Sequence, residues 1–411
     1  MELYCKEAYR SYCDARVVEI MLKILLIANF IHRPGGAGRL EAYLAKAISQ
    51  LGHKCVLIAR TRPHKINEQI MKGGKNIELY IISKPDASSR KIGILSHLKS
   101  LVMRYKVSEL IFREKPDVII SSGGVPKHLV NAARSIKSKV LVYYHMIAPW
   151  YVEIRGFYRK YKWSDLSMLY FGFSIALGKV LSADFSPLEY VDGVIVNSLY
   201  MAHIAKRYWG IMPYILQPPI EINNYVSLPR ENRFPQIVSI GRLDPDKHYE
   251  DIIEAVGKNN ILRKNVKIWL LGFMSNSQYL LNIIRLAKKY NVKLIIEANV
   301  SEERKRKVLS NSMIFINASR HEHFGINVVE AMASGTPVIV HKSGGPYYDI
   351  IDRGTYGLNY STIEELQSNI EILIEEPNTW NRYSQLSIMR AKQYDFESFK
   401  QRLANILDKV I

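Results

Sequence analysis

Two glutamates eight residues apart, Glu322 and Glu330, flank Phe324-Gly325-Ile326 in the stretch RHEHFGINVVEAMASGTPVIVHKSGGP, residues 320–346. Carboxylates accept hydrogen bonds from sugar hydroxyls, and free amides at a helix start bind anions. An acid on each side of such an amide cluster suits a ligand whose diphosphate lies between two hydroxyl-rich groups. A nucleotide sugar has that layout.

The elements around the pair must supply the amides. The apolar run 313–316 is too short for a helix and reads as a buried strand that ends just before Glu322. After Gly325, the spacing of Ile326, Val329 and Met332 predicts a helix that Gly335, Thr336 and Pro337 stop, with a second strand at 338–340. Glu322 is then on a loop, and Glu330 about one turn inside the helix, whose dipole adds to the anion site.

Two acids at this spacing arise by chance; their surroundings do not. The pattern E-x-F-G-x-x-x-x-E-A-M-A-x-G-x-P-V-I, followed by Ser343-Gly344-Gly345-Pro346, resembles the signature of the retaining glycosyltransferases of family 4. Within that family, HFGINVVEAM with HKSGGPYYDI looks most like the α-1,2-mannosyltransferases that extend dolichol-linked N-glycan precursors. The resemblance implies the GT-B fold, an α/β architecture: two doubly wound parallel-sheet Rossmann-like domains, a cleft between them, and a C-terminal helix that crosses back to the first. It also implies a nucleotide-sugar donor, a lipid-linked glycan acceptor, and a cytoplasmic protein peripheral on the cytosolic face of a membrane.

The other candidate residues belong to both domains. A strand at 237–240 enters Gly241-Arg242-Leu243-Asp244-Pro245-Asp246-Lys247. Arg242 and Lys247 bracket a turn from which both can reach one diphosphate, the arginine as a fork and the lysine as a point charge; the resemblance assigns Gly241, Arg242 and Lys247 to that grip. Asp244-x-Asp246 superficially matches a metal-binding D-x-D, but Pro245 separates the acids and the implied architecture is wrong for that motif, so neither metal nor cofactor is expected. Further strands are expected at 266–271 and 293–296. The segment after them, with Ala298 and Val300, matches the place where family members cradle the base with backbone groups.

In the first half, strand 24–28 leads into HRPGGAGRLEAYLAKAISQLG. Gly35, Gly36 and Gly38 let backbone approach a ligand closely. The loop fails the dinucleotide fingerprint because Glu41 stands three residues after Gly38, which argues against a nicotinamide or flavin enzyme. Strands are expected at 54–58, 77–82, 117–121, 140–144 and 193–196, a doubly wound parallel pattern whose ligands gather at strand carboxyl ends. His145 follows one such strand, and the resemblance places a histidine there near the donor sugar.

Size and charge bound the rest. The 411 residues predict two domains: 21–220 facing acceptor and membrane, 221–385 binding the nucleotide sugar, and 386–411 as the crossing helix. Residues 1–20 lack a signal-peptide core and read as a poorly ordered extension ahead of a better start at Met21. Cys5, Cys13 and Cys55 show no metal spacing, and no apolar run is long enough to span a bilayer. Residues 1–220 carry 32 Lys and Arg against 16 Asp and Glu, net +16, and the remainder only +3. That asymmetry suits an anionic surface.

Two segments are expected to touch the membrane: an amphipathic helix at 90–106, and the aromatic, basic run 150–163 with its apolar continuation to 181. A soluble sugar phosphate or an inositol lipid is an alternative acceptor. A basic nucleic-acid binder is the alternative of another class, but nothing resembles a nucleic-acid module, so no nucleic acid is expected.

Overall fold

A computed structural model describes residues 21–83, 94–146 and 190–411. The expected extension 1–20, the start of the amphipathic helix at 90–93 and the aromatic segment 150–181 lie outside the described residues.

Short Val- and Ile-rich runs form two parallel sheets, because strands buried on both faces need apolar side chains at every position. The first sheet holds β1 (Lys23–Ala28), β2 (Lys54–Ala59), β3 (Ile77–Ile81), β4 (Val118–Ser122), β5 (Lys139–Tyr144), β6 (Gly193–Val196) and β7 (Tyr214–Ile215), in the order β3-β2-β1-β4-β5-β6-β7. Ile24 and Leu26 of β1 pack on α1 (Gly36–Gln50), through Leu40, Leu44 and Ile48. Leu25, pointing the other way, packs with Leu110 and Ile111 of α2 (Ile94–Glu114) and Val130 of α3 (Lys127–Ser135).

The second sheet holds β8 (Phe234–Ile240), β9 (Lys267–Gly272), β10 (Lys293–Ala298), β11 (Ser312–Asn317), β12 (Val338–His341) and β13 (Leu358–Tyr360), in the order β10-β9-β8-β11-β12-β13. Helix α4 (Tyr249–Gly257) covers one face through Ile252 and Ile253. The other face meets α5 (Glu302–Asn311) through Val308 and Leu309, and α6 (Ile326–Ala333) through Val328, Val329 and Met332.

In both sheets the chain reverses direction beside the first strand, between β1 and β4 and between β8 and β11, which opens a crevice at the carboxyl ends there. The chain passes between the domains at two adjacent places, where Ile220 pairs with Asp395. The last helix, α7 (Phe396–Val410), buries Phe399, Leu403 and Leu407 in the first domain's core beside α1. The helix expected from residue 90 is seen from Ile94 and exposes Val102, Tyr105 and Phe112.

Candidate active site

The loop after β11 is built on glycines. Gly325 has φ +93°, the left-handed conformation that turns the chain into α6, and a Cβ there would lie 2.8 Å from Pro346 Cγ. Gly344 and Gly345 lie against the backbone of residues 321–324: a Cβ on Gly345 would stand 2.4 Å from the His323 carbonyl, and the Gly345 amide donates to the Glu322 carbonyl at 2.7 Å. The Ser-Gly-Gly-Pro run therefore supports the Glu322 loop from below. The Asn327 side chain donates to the carbonyl of Ile240, tying the start of α6 to the end of β8. In the first turn of α6 the Val328 amide donates to the Gly325 carbonyl at 2.9 Å, while the Ile326 and Asn327 amides lie too early in the helix to find an intrahelical acceptor.

The β8 loop carries the cations. Gly241 lies against β9 so closely that a Cβ on Gly272 would fall 1.6 Å from the Gly241 carbonyl. A short turn, Pro245–Lys247, then aims Lys247 at Glu322, with Nζ to Oε2 at 2.5 Å. Burial alone would raise the Glu322 pKa; the charge and hydrogen bond of Lys247, helped by His323 and Arg242, hold it below the usual range. Arg242 is more than half exposed and bonds Asp246 at 2.8 Å. Lys247 and Glu322 are thus brought together, with Arg242 alongside.

Glu330 belongs to a second charged group. Its carboxylate, 3% exposed, accepts from Lys305 Nζ at 2.6 Å and lies 3.5 Å from Arg39 Nη1. Glu302 bonds Arg39 and, at 2.9 Å, Lys305. Arg39 comes from α1 of the first domain, so its pairs with Glu302 and Glu330 cross the interdomain cleft. They border a cavity of about 280 Å³ lined by Arg39, Tyr43, Tyr225, Glu302, Ile326 and Glu330, among others. Gly36 faces the same region: a Cβ there would come 3.9 Å from Ile326 Cγ2, and Gly35 ahead of it is the N-cap of α1. Ala298 ends β10, and Val300 precedes Ser301, whose hydroxyl caps α5 just before Glu302.

His145 follows β5. Its Nε2 meets Ser122 Oγ at 2.7 Å, Phe30 approaches it edge-on, and the Asn197 amide holds its carbonyl at 2.9 Å. Burial lowers its pKa to about 4, so the ring is neutral at ordinary pH. Elsewhere at the boundary, the Leu199 and Tyr200 amides donate to the Asp349 carboxylate at 2.5 and 3.1 Å, and Ser198 Oγ donates to the His323 carbonyl at 2.6 Å.

Sequence reasoning missed Arg39, Glu302 and Lys305. A signal existed for Lys305: with Val308 and Leu309 it falls at the i, i+3, i+4 positions that make up the buried face of α5. Glu41 likewise occupies an apolar-stripe position of α1, next to Leu40 and ahead of Leu44 and Ala45, and is fully buried. Among the described residues, no group of three or more His, Cys, Asp or Glu side chains is arranged to hold a metal.

Two open parallel sheets facing one another across a charged cleft make a GT-B architecture. Solved structures share it over nearly the whole chain. A glycosyltransferase from Rickettsia africae superposes with TM-score 0.69 at 16% identity, covering 95% of this chain and 99% of that one. Anabaena Alr3699/HepE, in complex with UDP and glucose, superposes with TM-score 0.68 at 17% identity, covering 94% and 100%.

Two family models match end to end: Glycosyltransferase Family 4 over residues 34–223, and Glycosyl transferases group 1 over residues 223–388. The chain belongs to glycosyltransferase family 4. Among curated relatives, the GDP-Man:Man(3)GlcNAc(2)-PP-Dol alpha-1,2-mannosyltransferase of Xenopus laevis is 30% identical over 174 residues, 39% of this chain and 36% of that protein. A probable sucrose-phosphate synthase of Thermosipho melanesiensis is 30% identical over 187 residues, 43% of this chain and 42% of that protein. The aligned stretches thus span less than half the length of either relative.

Proposed function

We propose that this chain is a retaining hexosyltransferase that moves mannose or glucose from a nucleotide diphosphate sugar to a lipid-linked oligosaccharide. The observation that carries this reading is the Lys247–Glu322 pair at the mouth of α6, tied to β8 through Asn327 and facing Gly36 across the cleft. A diphosphate lodged there would meet Lys247, Arg242 and the amides after Phe324, which stabilise the charge that grows on the leaving group. Glu322 is ionised and would hold hexose hydroxyls; Glu330 would take the ribose, backbone near Ala298 and Val300 the base, and His145 the donor sugar from the opposite domain. Cations of the chain itself suffice for the diphosphate, so the proposal needs no metal or cofactor. No side chain stands out as a base, which leaves the departing phosphate oxygen to take the acceptor proton on the same face.

A lipid-linked acceptor agrees with the name of the Xenopus relative and with the +16 charge of residues 1–220. Val102, Tyr105 and Phe112 are exposed on a helix that also carries Arg104, Lys106 and Arg113, a composition suited to lying on an anionic surface. Among the described residues no helix is long and apolar enough to cross a membrane. The Thermosipho relative's name favours a second reading, a soluble sugar-phosphate acceptor.

A thermal-shift screen against GDP-mannose, UDP-glucose and UDP-N-acetylglucosamine tests the donor. A ligand at 100 times its Kd adds about 2.7 kcal/mol to stability, so one sugar nucleotide should raise the melting point by several degrees. No shift with any of the three defeats the proposal. Flotation with anionic liposomes, scored against salt, separates the two acceptor readings.

A further inference from the structure

We propose that Ser198 is a positioning residue for the donor sugar: from the first domain its hydroxyl holds the His323 carbonyl, and so fixes where the Glu322 carboxylate stands relative to His145. The functional meaning rests on the proposed contacts of Glu322 and His145 with the hexose; the tie between Ser198 and the loop does not.

Strand β6 runs straight into Asn197 and Ser198, and Ser198 is the N-cap of the helix Leu199–Trp209. These two consecutive side chains reach the two loops proposed to meet the sugar. The Asn197 amide donates to the His145 carbonyl at 2.9 Å, and Ser198 Oγ donates to the His323 carbonyl at 2.6 Å. One corner of the first domain therefore holds both its own histidine loop and the Glu322 loop of the second.

A hydroxyl carries one proton, so Ser198 must divide its bonds. Its oxygen accepts the Met201 amide at 3.1 Å, which is the helix cap. The proton has two acceptors in reach, the His323 carbonyl at 2.6 Å and Asn197 Oδ1 at 3.2 Å, and the shorter contact takes it. Capping thus uses the lone pair, and the interdomain tie uses the proton. Ser198 is fully buried, so solvent does not compete for that proton.

The tie matters because of where it falls on the loop. The Glu322 carbonyl is held by the Gly345 amide at 2.7 Å, within the second domain, and the next carbonyl, that of His323, by Ser198 from the first. Two successive carbonyls gripped from different domains leave the backbone from Glu322 to Phe324 little freedom to turn. The same helix start also sits on the segment that follows Gly345: Asp349 takes the Leu199 and Tyr200 amides, and the Tyr200 ring stacks on Tyr348 with centroids 5.9 Å apart and planes 5° apart. Seating of the first domain and placement of the Glu322 loop are therefore set at one point.

The test uses the full-length chain labelled with carbonyl-¹³C histidine and ¹⁵N phenylalanine. Histidine precedes phenylalanine once in the sequence, at His323–Phe324, so one NMR cross-peak reports that carbonyl. Ser198→Gly and Ser198→Ala both remove the proton, but glycine is nearly as good an N-cap as serine and alanine is a poor one. Both variants should displace the cross-peak, while the melting temperature falls clearly only for alanine. With a donor that the chain turns over, kcat should fall about tenfold in both, the worth of one hydrogen bond. The Kd of the nucleoside diphosphate, which lacks the hexose, should hold at its wild-type value. A cross-peak that neither variant moves overturns the inference. So does a wild-type kcat in Ser198→Gly, because Ser198 is then only a helix cap. A displaced cross-peak in a chain that turns over no sugar nucleotide upholds the tie and removes the proposed function instead.

Discussion

Replacing Glu330 with alanine separates a ligand contact from a structural counter-ion. In the folded chain its carboxylate is the 2.6 Å partner of Lys305, itself 7% exposed, and the more distant partner of Arg39. Stripping one member from a buried ion pair costs about 3–5 kcal/mol when the survivor is left alone. Here neither cation is left alone, because Glu302 bonds both. The loss should be nearer about 2 kcal/mol, roughly 4–8 °C in melting temperature for a domain of this size.

Binding should suffer separately. A carboxylate that accepts from ribose hydroxyls contributes about 1.5–3 kcal/mol, so the Kd of GDP or UDP should weaken by about tenfold to a hundredfold. Calorimetric titration with each diphosphate, beside a circular-dichroism melt, reads the two effects independently. If the melt shifts as expected and the better-binding diphosphate keeps its wild-type Kd, Glu330 is a counter-ion to Lys305 and nothing more.

Three further outcomes are expected. Lys247→Ala should lower kcat by roughly 10²-fold with a smaller change in KM, because its charge matters most as the diphosphate departs; steady-state kinetics check this, and an unchanged kcat removes Lys247 from the mechanism. Gly345→Ala should displace the Glu322–Phe324 backbone, since its Cβ would stand 2.4 Å from the His323 carbonyl; a melt should show a loss of about 1–3 kcal/mol, and a variant as stable and active as wild type would mean that the loop yields freely. Acid should loosen the Arg39 cluster: burial pushes the Glu302 carboxyl up, but the charges of Lys305 and Arg39 hold it at about 2, below its ordinary 4.5. Its contribution is then complete above pH 4.5 and lost as pH falls from there towards 2, on the order of 1–2 kcal/mol after allowance for its partial exposure. Glu302→Gln should flatten the stability profile across that window.

What was legible in the sequence was whatever a local pattern encodes. Strands buried on both faces read as unbroken apolar runs, and β1, β2, β8 and β11 were expected within a few residues of where they stand. Strands β7 and β13 escaped notice because they span two and three residues at the sheet edges and include polar or half-buried positions. Glu322, Glu330, Arg242 and Lys247 were visible because they lie on or next to the segments that Gly325 and Gly241 punctuate between strand and helix. Which charge pairs with which was not. Lys247 meets Glu322 from 75 positions away, and Arg39 meets Glu330 from 291. Contacts set by sheet topology leave no trace in spacing; the helix EERKRKVLSN offers five charges before its first apolar residue apart from Lys305, and only the periodicity of Lys305, Val308 and Leu309 separates the inward one from the rest.

Two of the interdomain contacts differ in what a donor would do to them. The Asp349 carboxylate caps the backbone amides of Leu199 and Tyr200, and its own carbonyl is held by Tyr394 at 2.8 Å, so it uses no group that a nucleotide sugar would need. The Arg39 contact uses Glu330 and Glu302, beside the cavity where a ribose would go. A ribose that takes over the Glu330 oxygens must compete with Arg39 for them, while Lys305 can remain. On the proposed reading, donor entry and release of one interdomain tie would be the same event, with the tie at Asp349 persisting through it. That would let the domains separate at the α1 edge of the cleft while remaining joined beside Asp349. The free energy spent on displacing Arg39 comes out of the donor's affinity, so an Arg39→Ala chain should bind a nucleoside diphosphate more tightly than wild type even as the empty cleft loses one of its closures.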